Sequence, residues 1–280
     1  METQKKHWIK ANRQERAVFD VTPASAGWQY LSFQVIALEQ GQSYSLPTGD
    51  NEMALVPLAG SARLRAGDLT CEVSRKDVFD ELPSVLYAPP RTTIEVEALS
   101  HFEFSLGGAP AEGKYPVRLF TPAEMKVEIR GGGAAIRQVH HILAFPLPAE
   151  RLILYEVYVP SGGWSGWPPH CHDGYLGSSY LEEVYYFRLN PRDGLAFHRN
   201  YRVDEDFDEF FPVEDTDLVL VTKGFHSTTS APGSNLYFLN YLAGDLRDEA
   251  RGTSSVDDPR YAWIRGNWTA NTMQLPIMGK

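Results

Sequence analysis

The chain has 280 residues, 43% of them hydrophobic and 22% charged, the balance of one large folded domain or two ordinary ones and not of a disordered segment. Its formal net charge of −10 repels phosphate backbones, which excludes nucleic acid as the expected partner, since no local basic groove is visible. No apolar run approaches the ~18 residues of a spanning helix, and two cysteines, Cys71 and Cys171, build no disulfide framework and fit reduced thiols in the cytoplasm.

The N-terminal stretch is basic but has no apolar run behind it, so no secretory leader is read there. Beyond it, short runs rich in Val, Leu, Tyr and Phe recur between turn residues. They are Ala54 to Leu58, Ile94 to Glu97, Leu152 to Val159, Glu183 to Leu189 and Leu236 to Tyr241. Their length and composition predict strands of a sandwich or barrel, and no long amphipathic helix interrupts them. The glycine run at Arg130-Gly131-Gly132-Gly133 is poorly tolerated inside a strand and divides the chain into domains 1–130 and 131–280. Each half repeats one order of events. Glu52 precedes MALVPLAG, and Asp77-Val78-Phe79 leads to Leu86-Tyr87-Ala88-Pro89-Pro90; Glu183 precedes VYYFRL, and Asp217-Leu218-Val219 leads to Val221-Thr222-Lys223-Gly224. An internal duplication of one all-β unit is the expectation.

Chemistry concentrates in the second half. In Pro168-Pro169-His170-Cys171-His172-Asp173 an extended backbone sends both imidazoles to one face and Cys171 to the other. Eight histidines in 280 positions produce such a pair by chance in roughly one chain in five, so the pair alone carries little. Eleven positions later Glu183 heads an apolar strand, and His226 follows the glycine bend at Gly224. Three imidazoles and one carboxylate at strand ends suit one divalent ion, Zn or Mn first and Fe or Ni also, with positions left open for water or substrate. The first half has Tyr44-Ser45-Leu46-Pro47 before Glu52 and Arg91-Thr92-Thr93 after Pro89-Pro90, with no histidine in either place. It is expected to hold no metal, with Cys71 a small buried hydrophobe.

These spacings resemble the two motifs of the cupin superfamily. The segments Arg137-Gln138-Val139-His140, Glu156 through Gly162-Gly163-Trp164, Tyr180-Leu181-Glu182-Glu183-Val184-Tyr185-Tyr186-Phe187-Arg188 and Tyr237-x-Leu239-Asn240, in register with the histidine motif, resemble the 5-deoxy-glucuronate isomerase family of myo-inositol catabolism. The resemblance runs from about Asn51 to Trp268. It implies a bicupin of two tandem β-barrels, the first empty. By the family motif the metal carboxylate is Glu183, which leaves Glu182 on the opposite face of the strand as a surface charge or a residue behind the site. Departures are Cys171 where a basic residue is usual, Thr222 for a proline, Thr216 for a glycine and His198 for a glutamine. None removes a ligand, and together they leave room for a changed substrate.

The reaction implied is the aldose–ketose conversion of 5-deoxy-D-glucuronate to 2-deoxy-5-keto-D-gluconate, an intramolecular oxidoreduction through an enediolate. A divalent ion would stabilise the two neighbouring oxygens of that species, with no organic cofactor needed. Glu183, His198 and Tyr185 are the candidate proton carriers. Arg199 is the first choice for the substrate carboxylate because a guanidinium pairs with it bidentately, with Lys223 and Arg137 behind it. Tyr237 and Asn240 are the further pocket candidates, although alternation forbids both facing one pocket. Competing readings are a cupin-type Fe(II) dioxygenase, an isomerase of a related uronate, and a non-catalytic sugar-binding cupin. A small sugar acid is the expected partner, with no membrane, and cupin sheet edges carry the expectation of a homo-oligomer.

Overall fold

The computed structural model describes residues 7–12, 14–252, 255–273 and 275–276; the first six residues, part of the stretch read for a leader, lie outside them. It is all-β, as expected, with described helices of at most five residues, and none of them is long and apolar enough to cross a membrane.

A nine-stranded sheet makes the first half. Its longest strand, Asn51–Ala66, pairs early with Val85–Ala88 and Phe102–Pro110, and later with Leu69–Arg75 and Thr93–Ala98. One strand thus passes from one wall of the barrel to the other. Gly60 makes the passage possible: at φ 89° a Cβ there would stand 1.8 Å from the His101 carbonyl oxygen. The interior is filled by Ile36, Leu55, Leu64, Phe102, Phe104 and Leu106. The second half is a seven-stranded sheet facing a five-stranded one, with Val139, Val157, Phe187, Phe211, Val219 and Phe238 in its core.

The divide between the halves falls earlier than the sequence suggests. Lys126–Arg130 pairs antiparallel with Arg137–Leu143, and Trp8–Ile9 pairs with Leu218–Val221. Both outlying strands therefore belong to the seven-stranded sheet of the second half. The glycine run, read as the break between domains, is a hairpin turn within that sheet.

Alternation along Leu181–Asn190 holds: Tyr185 and Phe187 join the core of the second barrel, while Val184 and Tyr186 face the other way. That other face is not solvent. It packs on Phe33, Val35, Val56 and Tyr87 of the first half, with Leu154, Leu220 and Tyr241 from its own side. Each fully buried side chain of this size contributes roughly 1.5–3 kcal/mol, so the two barrels share a third core.

Two carboxylates lock this interface from opposite sides. Glu182 is buried and accepts the backbone N–H groups of Gln29 (2.6 Å), Tyr30 (2.9 Å) and Leu31 (2.8 Å), plus the Tyr180 hydroxyl (3.0 Å). Glu52 accepts those of Glu150 (2.8 Å), Arg151 (2.5 Å) and Leu152 (2.8 Å), plus the Tyr87 hydroxyl (2.8 Å). Each half therefore grips three consecutive amides of the other. The reciprocity pairs Glu52 with Glu182, which places Met53 where the second half has Glu183. The expectation that Glu182 is a solvated charge is corrected: its strand face is covered by the other barrel, and a carboxylate is retained there because four donors compensate its burial.

Tyr237 belongs to the same interface. Its hydroxyl donates to Glu156 Oε1 (2.6 Å), which also pairs with the fully buried Arg75 guanidinium at 2.6 and 3.1 Å. Its assignment to the substrate is overturned, because positions 237, 239 and 241 of Asn235–Gly244 face the third core and leave 238 and 240 for the barrel interior.

Candidate metal centre

The strand Trp164–Cys171 delivers His170, and His172 follows one residue past its end. Cys171 points away, as expected, into a cluster with Tyr201 and Phe225, and burial pushes its thiol up to about 11. The strand Phe225–Ser230 lies beside it with His226 opposite His170, their ring centroids 4.4 Å apart. Both strands belong to the five-stranded sheet; Glu183 reaches across from the seven-stranded one. One ring nitrogen from each of His170, His172 and His226 lies within 4.8 Å of the others. Glu183 Oε2 sits 2.8 Å from His172 Nε2 and 3.3 Å from His226 Nε2. The three imidazoles thus cluster, and Glu183 touches two of them.

The loops that carry them are tied together. Asp173 Oδ2 accepts the Gly224 N–H at 2.7 Å and pairs with Arg202 at 2.9 Å, joining the turn after His172 to the turn before His226. Thr216, where the resemblance expects glycine, sits in the left-handed region at φ 67°, at a cost of about 1 kcal/mol.

The donor set fits a cation. His172 Nδ1 donates to the Leu181 carbonyl at 2.9 Å and Nε2 faces Glu183 Oε2 at 2.8 Å. Burial lowers the pKa of the ring, but the Glu183 hydrogen bond and charge raise it overall, so this pair holds a positive charge between nitrogen and carboxylate, a place that a metal ion takes in exchange for a proton. Both nitrogens of His226 are buried without a hydrogen-bond partner, since its 3.3 Å approach to Glu183 is not aligned as a bond. Burial and the neighbouring imidazoles push His170 well below its ordinary value and keep it neutral. Burial raises the Glu183 carboxyl, but the His172 and His226 imidazoles outweigh it and hold the group at about 2. Ionised carboxylate and neutral imidazole are the forms that bind metal.

His170, His172 and Glu183 line a cavity of about 300 Å³ together with Arg137, Tyr155, Tyr185 and Asn240. Burial and the Glu183 charge push the Tyr185 hydroxyl well above its ordinary range, so it keeps its proton. Arg137 is the cation of the three proposed that reaches the cavity. Arg199 does not: alternation turns it to the outside of the sheet, where it pairs with Asp208 at 2.8 and 2.6 Å and lines a groove with Trp164 and Trp167. Lys223 is also corrected; it sits at the surface on Glu205.

His198 is corrected as a proton carrier. It is fully buried behind Tyr185, ring centroids 4.8 Å apart, and is not among the residues lining the cavity. Its Nε2 donates to Asn200 Oδ1 at 2.8 Å and its Nδ1 accepts from the Thr228 hydroxyl at 2.7 Å. Burial and His226 push its pKa down to about 3, so the ring is a neutral prop. His198→Gln, which keeps one donor and one acceptor, should therefore retain metal and turnover; metal analysis and initial rates of the purified variant check this, and loss of turnover with full metal would restore His198 to the chemistry.

Sequence reasoning passed over Tyr155, Arg130 and Asp173. Asp173 was visible as the end of the histidine motif. Tyr155 and Arg130 carry no local signal, and Arg130 was hidden by reading the glycine run as the break between domains.

The model of the KduI/IolB family matches residues 4–264. A 5-deoxy-glucuronate isomerase from Geobacillus thermodenitrificans (strain NG80-2) is 40% identical over 256 residues, 90% of this chain and 92% of that one. That of Bacillus subtilis (strain 168) is 32% identical over 255 residues, 89% and 93% of the two chains. The crystal structure of an IolB-like protein from Salmonella typhimurium LT2 superposes with a TM-score of 0.88 at 35% identity, covering 92% of this chain and 99% of that one. A Bacillus subtilis oxalate decarboxylase, at 14% identity and a TM-score of 0.63 over 92% of this chain and 80% of its own, shares the fold.

Proposed function

Given that the chain belongs to the KduI/IolB family, we propose that it is a metal-dependent aldose–ketose isomerase converting 5-deoxy-D-glucuronate to 2-deoxy-5-keto-D-gluconate in the cytoplasm. The observation that carries the reading is a cluster of three imidazoles, with Glu183 against two of them, beside a cavity that His170, His172, Glu183 and Arg137 line. His170, His172, His226 and Glu183 would hold the ion, Zn or Mn suiting the set best and Fe or Ni also. When bound it supplies Lewis-acid stabilisation to negative charge developing on adjacent sugar oxygens.

The chain's own groups do the rest. Arg137 pairs with the substrate carboxylate and so orients the opposite, aldehyde end toward the ligand set. Glu183 is the sole carboxylate among the described residues lining the cavity, so it is also the acceptor within reach of a proton leaving the α-carbon. Glu183 returns that proton to the former aldehyde carbon, while Tyr185 Oη, which keeps its own proton, hydrogen-bonds the oxygen on which charge develops, so both groups end as they began. Val139, Ile153, Val157, Phe238 and Leu242 make the remaining wall apolar and limit water around the reacting carbons.

Metal-loaded protein mixed with 5-deoxy-glucuronate should lose the aldehyde proton signal in NMR as the ketose appears. No conversion at full metal occupancy would overturn the reading, and oxygen uptake with iron in its place would replace it with a dioxygenase.

A further inference from the structure

We propose that Arg130 and Arg137 form a two-guanidinium clamp for the terminal carboxylate of the substrate, and that this clamp restricts the cavity to sugar acids. The inference rests on the reading of the cavity as a sugar-acid site and adds a residue that neither motif nor spacing marks.

The two arginines stand directly opposite each other at the end of the hairpin formed by Lys126–Arg130 and Arg137–Leu143, and both line the cavity. The hairpin turn is built to hold them there. Gly131 has φ 77°, and a Cβ on it would stand 2.1 Å from the Ala135 carbonyl oxygen and 2.8 Å from Arg137 Nη1. A side chain at this position would displace the guanidinium.

Two guanidiniums placed together repel, and the one carboxylate beside them, Glu128, is shared with Lys126, so the pair is only partly neutralised. Arg137 makes one hydrogen bond, from Nη1 to the Ala135 carbonyl at 3.2 Å, and no ion pair among the described residues. Burial, with Arg130 and Arg265 nearby, pushes it down to about 10. Arg130 Nη2 is ion-paired with Glu128 Oε2 at 3.2 Å and lies 3.2 Å from His141 Nε2, and that one carboxylate oxygen is shared with Lys126 at 3.1 Å and His141 at 3.0 Å. In a chain of net charge −10, an under-neutralised arginine pair on the wall of the cavity that His170, His172 and Glu183 also line is directed at an incoming carboxylate. Charge-assisted bonds of this kind contribute enough to change affinity by about tenfold each.

The test is calorimetric titration of metal-loaded protein with D-glucuronate and with D-glucuronamide, which has nearly the same shape without the charge. The unmodified protein should prefer the acid by about tenfold or more. Arg130→Met and Arg137→Met should each remove most of that preference, Arg130→Lys should keep part of it, and Arg199→Met should leave it whole. Thermal unfolding of each variant establishes that it is folded. Arg130→Met with the full preference, or with equal weakening toward acid and amide, would overturn the clamp. Because binding is read separately from turnover, a failed isomerase assay with the charge preference intact would remove the proposed reaction and leave the clamp standing.

Discussion

His226→Ala protein should leave purification without stoichiometric metal, and its kcat/KM for 5-deoxy-glucuronate should fall by about a thousandfold or more. The ring fills a place that no other group can take, since both its nitrogens are buried and unbonded and its neighbours are two further imidazoles and a carboxylate. Removing it leaves two histidines and Glu183, a weaker and less enclosed set. Loss of an electrophile that stabilises developing charge by several kcal/mol lowers rate by about tenfold for each 1.4 kcal/mol. His172→Ala should behave alike. His101→Ala should not, because that side chain lies at the surface against Glu39. Metal analysis of all three proteins, purified without chelator, gives the answer; equal metal content would dismantle the ligand assignment.

The second large effect falls on the residue beside a ligand. Glu182→Ala should lower the free energy of unfolding by about 3–5 kcal/mol, because three backbone amides and the Tyr180 hydroxyl lose their acceptor in an interface that excludes water. Glu183→Gln should instead abolish metal retention while changing the stability of metal-free protein far less. Urea unfolding of the metal-free variants separates the two. A Glu182→Ala protein as stable as the unmodified chain would show that the clasp does not hold the halves together. Neighbouring glutamates with opposite duties follow from one fact about strands: consecutive side chains point to opposite faces, here to the metal cavity and to the other barrel.

Much of the site could be read from local pattern. Residues two apart in an extended segment share a face, which was sufficient to join His170 with His172 and Glu183 with Tyr185, and to separate Cys171 from the histidines. The same rule ruled that Tyr237 and Asn240 could not both face the pocket. It could not say which of the two did, and it failed for Arg199 for the same reason. A period of two sorts residues into two faces without saying what each face meets. Tyr237 faces a buried glutamate from its own half and an arginine from the other, and Arg199 faces outward while His198 takes the interior.

Composition and spacing by themselves determined that this chain is built of strands and that its clustered histidines sit in the second half, because those properties depend on residue type and on separations of a few positions; the choice of Glu183 over Glu182 came from the family motif. Tertiary structure alone decided that Glu182 is an anchor between barrels, that Arg137 and not Arg199 reaches the cavity, and that the glycine run brings Arg130 to its wall. Each of those outcomes depends on contacts between segments tens to more than a hundred residues apart, where the energy of burial chooses which face of a strand is covered and leaves no local trace in the order of amino acids.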